Sequence, residues 1–302
     1  VSTRDPSPYA ELEVLEVGAT ALVEDLGRPG MASLGVSPSG AADRGAHALG
    51  ARLLGQAPEL ASVEVVGGLV VRAVGSVTAV VTGAAGTVTV DGRPVGHGAP
   101  FLVRDGQLLT LTRATAGLRS YLGVRGGFAV PPVLGSRSSD TLSGLGPPAL
   151  RVGDVVPVGH PDGAPGGELL VDVAPVRAPL TGAVELEAMP GPRLAWLADQ
   201  ARLTSGGWSV AADSDRVGVR FSGPALERSS TRGGTEVPSE GLVRGAVQVP
   251  PTGVPVVFLA DHPVTGGYPV VAVLTEHACD LAAQLVPGQP VRLRLRSTQR
   301  GI

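Results

Sequence analysis

EVPSEGLVRGAVQVPPTGVPVVFLADHPVTGGYPVVAVL, residues 236–274, is the stretch from which the rest of the chain is read. Two apolar runs, 254–260 and 270–274, are short, rich in valine and bounded by Gly/Pro turns, which marks them as strands. Among the turns stand Ser239, Glu240, Gln248, Asp261, His262, Thr265 and Tyr268, so the pattern is that of a site mounted on a sheet. Gly266 and Gly267 free the backbone for positive φ or for close approach of a ligand. Glu240 and Asp261 are candidates for a catalytic acid and base pair, with Gln248 and Tyr268 orienting an amide or carboxylate. On that reading all four line one cleft whose floor is Gly266-Gly267, and Asp261→Asn lowers turnover while leaving folding intact. The competing reading has the carboxylates and Ser239 satisfying turn backbone and Tyr268 filling a core.

The same alternation of short strand and turn extends in both directions. Residues 63–124 read as successive strands, with hairpin signals at Asp91-Gly92 and Asp105-Gly106. A Gly turn followed by an alternating strand recurs near Arg151 and Pro287. Upstream, residues 24–40 form a loop dense in Gly, Pro and Ser, where Ser39 is placed to cap a helix through Ala42, Ala46, Leu49 and Leu53. Asp25, Arg28, Ser37, Ser39 and Asp43 crowd this junction. PGPRLAWLADQARL, 190–203, reads as a helix or helical turn, and WSVAADSDRVGVRFSG, 208–223, as strand, turn and strand. Thr275 is placed to cap a late helix whose apolar face is Ala278, Leu281, Ala282 and Leu285. The fold class is mainly β with a few short helices. GHPDGAPGGE, 159–168, has a linker's composition and divides the chain into subdomains at 9–160 and 169–302, joined by a linker at about 161–168.

Composition removes several classes of chemistry. All 24 basic residues are arginine, and neither lysine nor asparagine occurs. Lysine carries covalent biotin, forms Schiff bases and reaches phosphate in a P-loop, so this chain does none of these. No metal pattern links the five histidines and the single cysteine. A net charge of −3 with scattered arginines argues against nucleic acid as a partner. The uncharged run 73–90 reaches membrane-span length, but its glycines and β-branched residues argue for buried strands. With no basic and apolar leader at the start, the expected location is the cytoplasm.

DLGRPG and GVSPSGAAD (25–43), TGA (82–84), LGVRGGF (122–128), LGSRSSD (134–140), SDRVGVRFSG (214–223), the stretch 238–269 and AAQLVPG (282–288) occur in that order. Together they resemble the biotin-dependent carboxyltransferase-domain family, over nearly the whole chain. That family includes the carboxyltransferase domain of urea carboxylase, allophanate hydrolase subunit 2, the antagonist of the Kip kinase inhibitor and the 5-oxoprolinase C subunit. The resemblance implies two cyclophilin-like β-barrel subdomains. It implies an ATP-coupled opening of the lactam of 5-oxoproline to glutamate, shared with a companion B subunit (subunit 1) and an A subunit of the LamB/YcsF type. ATP then belongs to the complex, and biotin is not attached to this chain. The alternatives it leaves are carboxyl transfer to urea-like amides and a non-catalytic regulator of a kinase-inhibitor partner. Carried over by motif, the site comprises Asp25, Arg28, Ser39, Gly40, Asp43, Arg216, Ser239, Glu240, Gln248, Asp261, Thr265, Gly266, Gly267 and Tyr268. Pro263-Val264 departs from the family's usual Gln-Thr before TGGYP.

Overall fold

The computed structural model describes residues 8–161, 172–175, 178–229 and 237–296. The chain forms two compact units. Unit 1 comprises Val1–Arg28, Arg44–Ser139 and Gly144–Pro179; unit 2 comprises Pro29–Asp43, Asp140–Ser143 and Leu180–Ile302. The units are therefore not two continuous halves of sequence: two early segments are counted with the second. The predicted linker lies, from residue 162 on, outside the described residues.

Unit 1 contains β1 (Ala10–Val17), β2 (Thr20–Glu24), α1 (Arg44–Leu53), β3 (Ser62–Val66), β4 (Leu69–Val74), β5 (Val77–Ala85), β6 (Val88–Val90), β7 (Arg93–Pro94), β8 (Phe101–Val103), β9 (Leu108–Leu111), β10 (Ala116–Val124) and β11 (Val155–Val158). They make a six-stranded sheet, β11-β1-β4-β9-β6-β7, and a five-stranded sheet, β2-β3-β10-β5-β8. Alternate residues such as Leu12, Val14, Val63, Val65, Val71 and Leu109 enter one shared apolar core. The run 73–90 holds the end of β4, all of β5 and β6 and the glycine turns between them, as its β-branched residues and glycines require, and among the described residues no helix is long and apolar enough to cross a membrane.

One local reading is met and two are corrected. Asp91 (φ 47°) and Gly92 (φ 74°) both take the left-handed conformation and join β6 to β7 as a hairpin. Asp105-Gly106 turns the chain as expected, but β8 pairs with β5 and β9 pairs with β4 and β6, so the turn passes between sheets instead of closing a hairpin. Helix α1 begins at Arg44, and Ser39, at φ 51° and five residues upstream, does not cap it. Its hydroxyl is committed elsewhere.

Against β5 and β10, α1 buries His47, Gly50, Ala51 and Leu53. The Pro58 carbonyl can only accept, so His47 Nε2 (2.7 Å) carries the ring proton and Nδ1 accepts from Ser62 Oγ at 2.8 Å. Burial holds His47 below its ordinary value near 6.5, although the Pro58 hydrogen bond and the carboxylates of Asp25, Glu64 and Glu59 act in the opposite direction. Above about pH 6.5 the ring is neutral in both folded and unfolded chains; below it the unfolded chain takes up the proton first. Stability is therefore expected to fall as pH drops from 7 to 5, and His47→Gln is expected to flatten that slope. Urea unfolding at a series of pH values measures it, and an unchanged slope in the variant would count against this account.

Unit 2 contains β12 (Val184–Pro190), α2 (Arg202–Ser205), β13 (Trp208–Val210), β14 (Gly218–Ser222), β15 (Glu240–Gly241), β16 (Ala246–Gln248), β17 (Val256–Phe258), β18 (Thr265–Gly266), β19 (Val270–Leu274), α3 (Glu276–Ala283) and β20 (Pro290–Leu295). Seven of the strands close a barrel in the order β12-β19-β16-β17-β14-β13-β20, and β15 and β18 form a separate ribbon. The stretch read as a helix or helical turn at 190–203 forms a 3-10 turn, Leu194–Trp196, and the start of the four-residue α2. Helix α3 is capped as expected, Thr275 Oγ1 accepting from Ala278 N at 3.3 Å. It packs Ala278, Cys279 and Ala282 into the barrel core with Trp208, Val247, Val257 and Val271. Arg244 ties it to the early segment, donating to Asp280 (2.7 Å), Glu276 (2.8 Å) and the Ala42 carbonyl (2.8 Å).

Candidate functional site

The structure divides the residues singled out by sequence into three settings. In unit 2, Asp261 is 0 % exposed. Its Oδ1 accepts from Ser39 Oγ (2.7 Å) and Arg216 Nη2 (3.1 Å), and its Oδ2 from Arg216 Nε (2.9 Å), Thr141 N (2.9 Å) and Thr141 Oγ1 (2.6 Å). Arg216 Nη2 also donates to the Gly40 carbonyl at 2.7 Å. Five donors meet a group with about four lone-pair sites, leaving none for a substrate proton. The general-base assignment for Asp261 is thus corrected: it is a buried organising charge that pins residues 39–40 and 141 to the barrel. Asp43 acts similarly, accepting from Gln284 Nε2 at 2.7 Å.

Glu240 is also engaged. It sits on β15 opposite Gly266 of β18, and its Oε1 is hydrogen-bonded by Arg193, whose guanidinium lies 5.4 Å from the Trp196 ring centre. Ser239 and Thr265 are exposed near it, and neither Glu240 nor Asp261 reaches the cleft described next. The Gly266-Gly267 pair is not that cleft's floor either. A Cβ at Gly266 would stand 2.8 Å from Gln248 Nε2 and from Leu242 Cδ1, so glycine here admits the Gln248 side chain.

Gln248 and Tyr268 do come together, on an open cleft of about 460 Å³ on the barrel of unit 2. Register explains its form. Val219, Val257 and Val247 lie opposite one another across β14, β17 and β16 and point into the core. The next row, Arg220, Val256 and Gln248, therefore faces outward, followed by Gly218 opposite Phe258. Pro250, Pro255 and Val254 add a rigid apolar rim, and Tyr268, 45 % exposed, stands over one end. Gln248 is only 3 % exposed, and its Nε2 donates to the Tyr268 carbonyl at 3.0 Å, which leaves Oε1 without a donor among the described residues. At the other end Arg220 Nε meets Asp213 Oδ2 at 3.4 Å, an exposed and weak pair, while its terminal nitrogens make no hydrogen bond among the described residues. Arg220 was not singled out by sequence. Its one signal is a cation at the outward position between Val219 and Phe221 in GVRFS, a pattern shared with any solvated strand. The polar groups of the lining are Arg220, Asp213, Gln248, Thr252 and Tyr268, which suit recognition and orientation of a small polar ligand.

Asp25 and Arg28 belong to unit 1. Asp25 accepts from Gly27 N (2.7 Å), Ser136 Oγ, Ser138 Oγ and Arg137 N (each 2.6 Å). Arg28, 2 % exposed, donates to the carbonyls of Val133 and Ser138. Both residues hold the LGSRSSD loop, Asp25 through two serine hydroxyls and a backbone N–H and Arg28 through main-chain carbonyls at and beside it.

Comparison with known proteins places this geometry. Over residues 34–295 the chain matches the family described as carboxyltransferase domain, subdomain A and B. The 5-oxoprolinase C subunit of Haemophilus influenzae is 32 % identical over 295 residues, covering 95 % of this chain and 92 % of that protein. Its Escherichia coli counterpart is 34 % identical over 286 residues, covering 93 % and 89 %. The crystal structure of K. lactis urea amidolyase superposes with a TM-score of 0.89 at 27 % identity over 98 % of this chain, which spans only 19 % of that larger polypeptide. With the family pattern met from the early loop to the last strand, and enzyme subunits or domains as its relatives, this chain belongs to the carboxyltransferase-domain family built of subdomains A and B.

Proposed function

We propose that the chain is the C subunit of an ATP-dependent 5-oxoprolinase, opening the lactam of 5-oxoproline to glutamate together with a B subunit (subunit 1) and a LamB/YcsF-type A subunit. The observation that supports this is the match to two 5-oxoprolinase C subunits along about nine-tenths of both chains. A lactam shares the resonance of the peptide bond, so its hydrolysis is slow and gains from coupling to ATP. The residues present do not fit the nucleotide: the chain has no lysine and no phosphate-binding glycine loop leading into a helix. ATP is therefore assigned to the companions, and this chain's part is to hold and orient the amide substrate. An ATP-coupled reaction of this kind places the complex in the cytoplasm.

The second reading is carboxyl transfer to a urea-like amide, favoured by the likeness to urea amidolyase. It requires biotin carried on another polypeptide, because no lysine is available here.

Co-expression with the companion subunits, followed by size-exclusion chromatography and an assay of glutamate released from 5-oxoproline, separates these readings. The expected result is co-elution, ATP-dependent release by the assembled complex and none by this chain alone. Turnover by the purified chain, or an assembled complex inert toward 5-oxoproline, would refute the proposal. Biotin-dependent carboxylation of urea would establish the second reading in its place.

A further inference from the structure

We propose that the cleft over β14, β17 and β16 binds a small planar amide bearing a carboxylate, Arg220 taking the carboxylate and Gln248 Oε1 the amide N–H. The two polar groups lie in one outward row with Val256 between them, so their backbones stand about 10 Å apart, two inter-strand spacings. With the side chains leaning inward, that span suits a molecule the size of one small ring.

Each end is chemically unfinished. Gln248 is buried, and its amide orientation is set by the bond from Nε2 to the Tyr268 carbonyl, so what it presents is a fixed acceptor. Oε1 is not fully enclosed, so it is open to solvent, and an incoming N–H takes the place of water there. Gly266 preserves this arrangement, since any Cβ there would displace the amide. At the opposite end Asp213 occupies only the Nε position of Arg220, and a guanidinium carries five N–H donors, so its two terminal nitrogens stay open for bidentate pairing with a carboxylate. The negative charge of Asp213 disfavours an anion in general, so binding depends on that bidentate geometry and not on charge alone.

Between the ends the surface is apolar. Val256 and Phe258 form the floor, and Gly218, opposite Phe258, contributes no side chain, which leaves a trough. A Cβ at 218 would lie 2.9 Å from the Val257 carbonyl oxygen. A volume of about 460 Å³ is within the range of small-ligand sites. The Tyr268 hydroxyl, which makes no hydrogen bond among the described residues, is available to the ligand's carbonyl.

Both a cyclic lactam acid and an open-chain ureido acid carry this pair of groups. Naming 5-oxoproline as the first probe rests on the function proposed above; the recognition chemistry rests on the cleft. Isothermal titration of the full chain, and of its complex with the companion subunits, is run with 5-oxoproline, 2-pyrrolidone and N-carbamoylglycine. Arg220→Met keeps the exposed stem and removes the charge, and Gly266→Ala displaces Gln248 without touching Arg220. Binding of 5-oxoproline is expected, weakened about tenfold or more by Arg220→Met, while the weaker binding of 2-pyrrolidone is unchanged by it. Gly266→Ala is expected to weaken both. Binding of N-carbamoylglycine with rejection of 5-oxoproline would uphold the cleft assignment and remove the oxoprolinase reading. If the complex turns over 5-oxoproline and Arg220→Met changes neither its affinity nor its KM, the assignment is wrong although the function stands. Failure of all three probes to bind chain and complex alike would also overturn it.

Discussion

Asp261→Asn is expected to destabilise unit 2 by about 3–5 kcal/mol, the usual result of removing one partner from a buried ion pair. Whichever carboxamide orientation is adopted, the new NH2 faces donors: Arg216 Nη2 and Ser39 Oγ on one side, Arg216 Nε and Thr141 N on the other. The Arg216 guanidinium is left buried without a countercharge. A change of that size lowers the melting temperature by on the order of 10 °C. Circular dichroism through the thermal transition measures it. A wild-type melting point with selectively lost turnover would restore Asp261 as a catalytic base and contradict its role as an organising charge. Replacing the pair together, with Arg216→Met and Asp261→Leu, is expected to cost less than the Asn substitution alone, because no unpaired charge remains.

Asp25 is expected to show a graded loss in unit 1. Its Oδ1 accepts Gly27 N, Ser136 Oγ and Ser138 Oγ, and Oδ2 accepts Arg137 N alone. Asp25→Asn would keep the first three and set its NH2 against one backbone N–H, a loss of about 1–3 kcal/mol. Asp25→Ala strips the acceptor from all four donors and should cost roughly 3–5 kcal/mol. Equilibrium unfolding in urea distinguishes the two variants by midpoint. Equal midpoints for Asp25→Asn and Asp25→Ala would mean that the hydrogen-bond count does not set the stability of this loop.

Sequence revealed the features whose causes lie within a few residues. The hairpin at Asp91-Gly92 and the Thr275 cap of α3 follow from local backbone preference and one side chain. Alternation likewise marked the strands, because one face of each had to be apolar. Asp105-Gly106 looked the same as Asp91-Gly92, yet which strand pairs with which is decided by the sheets on either side of the turn. The partners of Asp261 stand 222, 120 and 45 positions away, and nothing local foretells that they converge. Gln248 and Tyr268 were legible as companions, since they stand only 20 positions apart in the same stretch. Arg220 was not, because an outward arginine on a strand is ordinary until its neighbours across β17 and β16 are known. The family resemblance carried the chain as a whole further than any of these signals did.

The membership of Pro29–Asp43 and Asp140–Ser143 in unit 2 sets a timetable for synthesis. Ser39 leaves the ribosome 222 residues before Asp261, and at 5–20 residues per second that interval is roughly ten to forty seconds. Throughout it, the early segment waits for the barrel strands against which Ala42 packs beside Ala260 and Ala283. A nascent chain can complete unit 1 in that time only by looping these residues out and leaving them unpaired. Slower elongation lengthens the wait, so yield in a host should depend on translation rate and on chaperones that hold extended segments, even where the finished protein is stable.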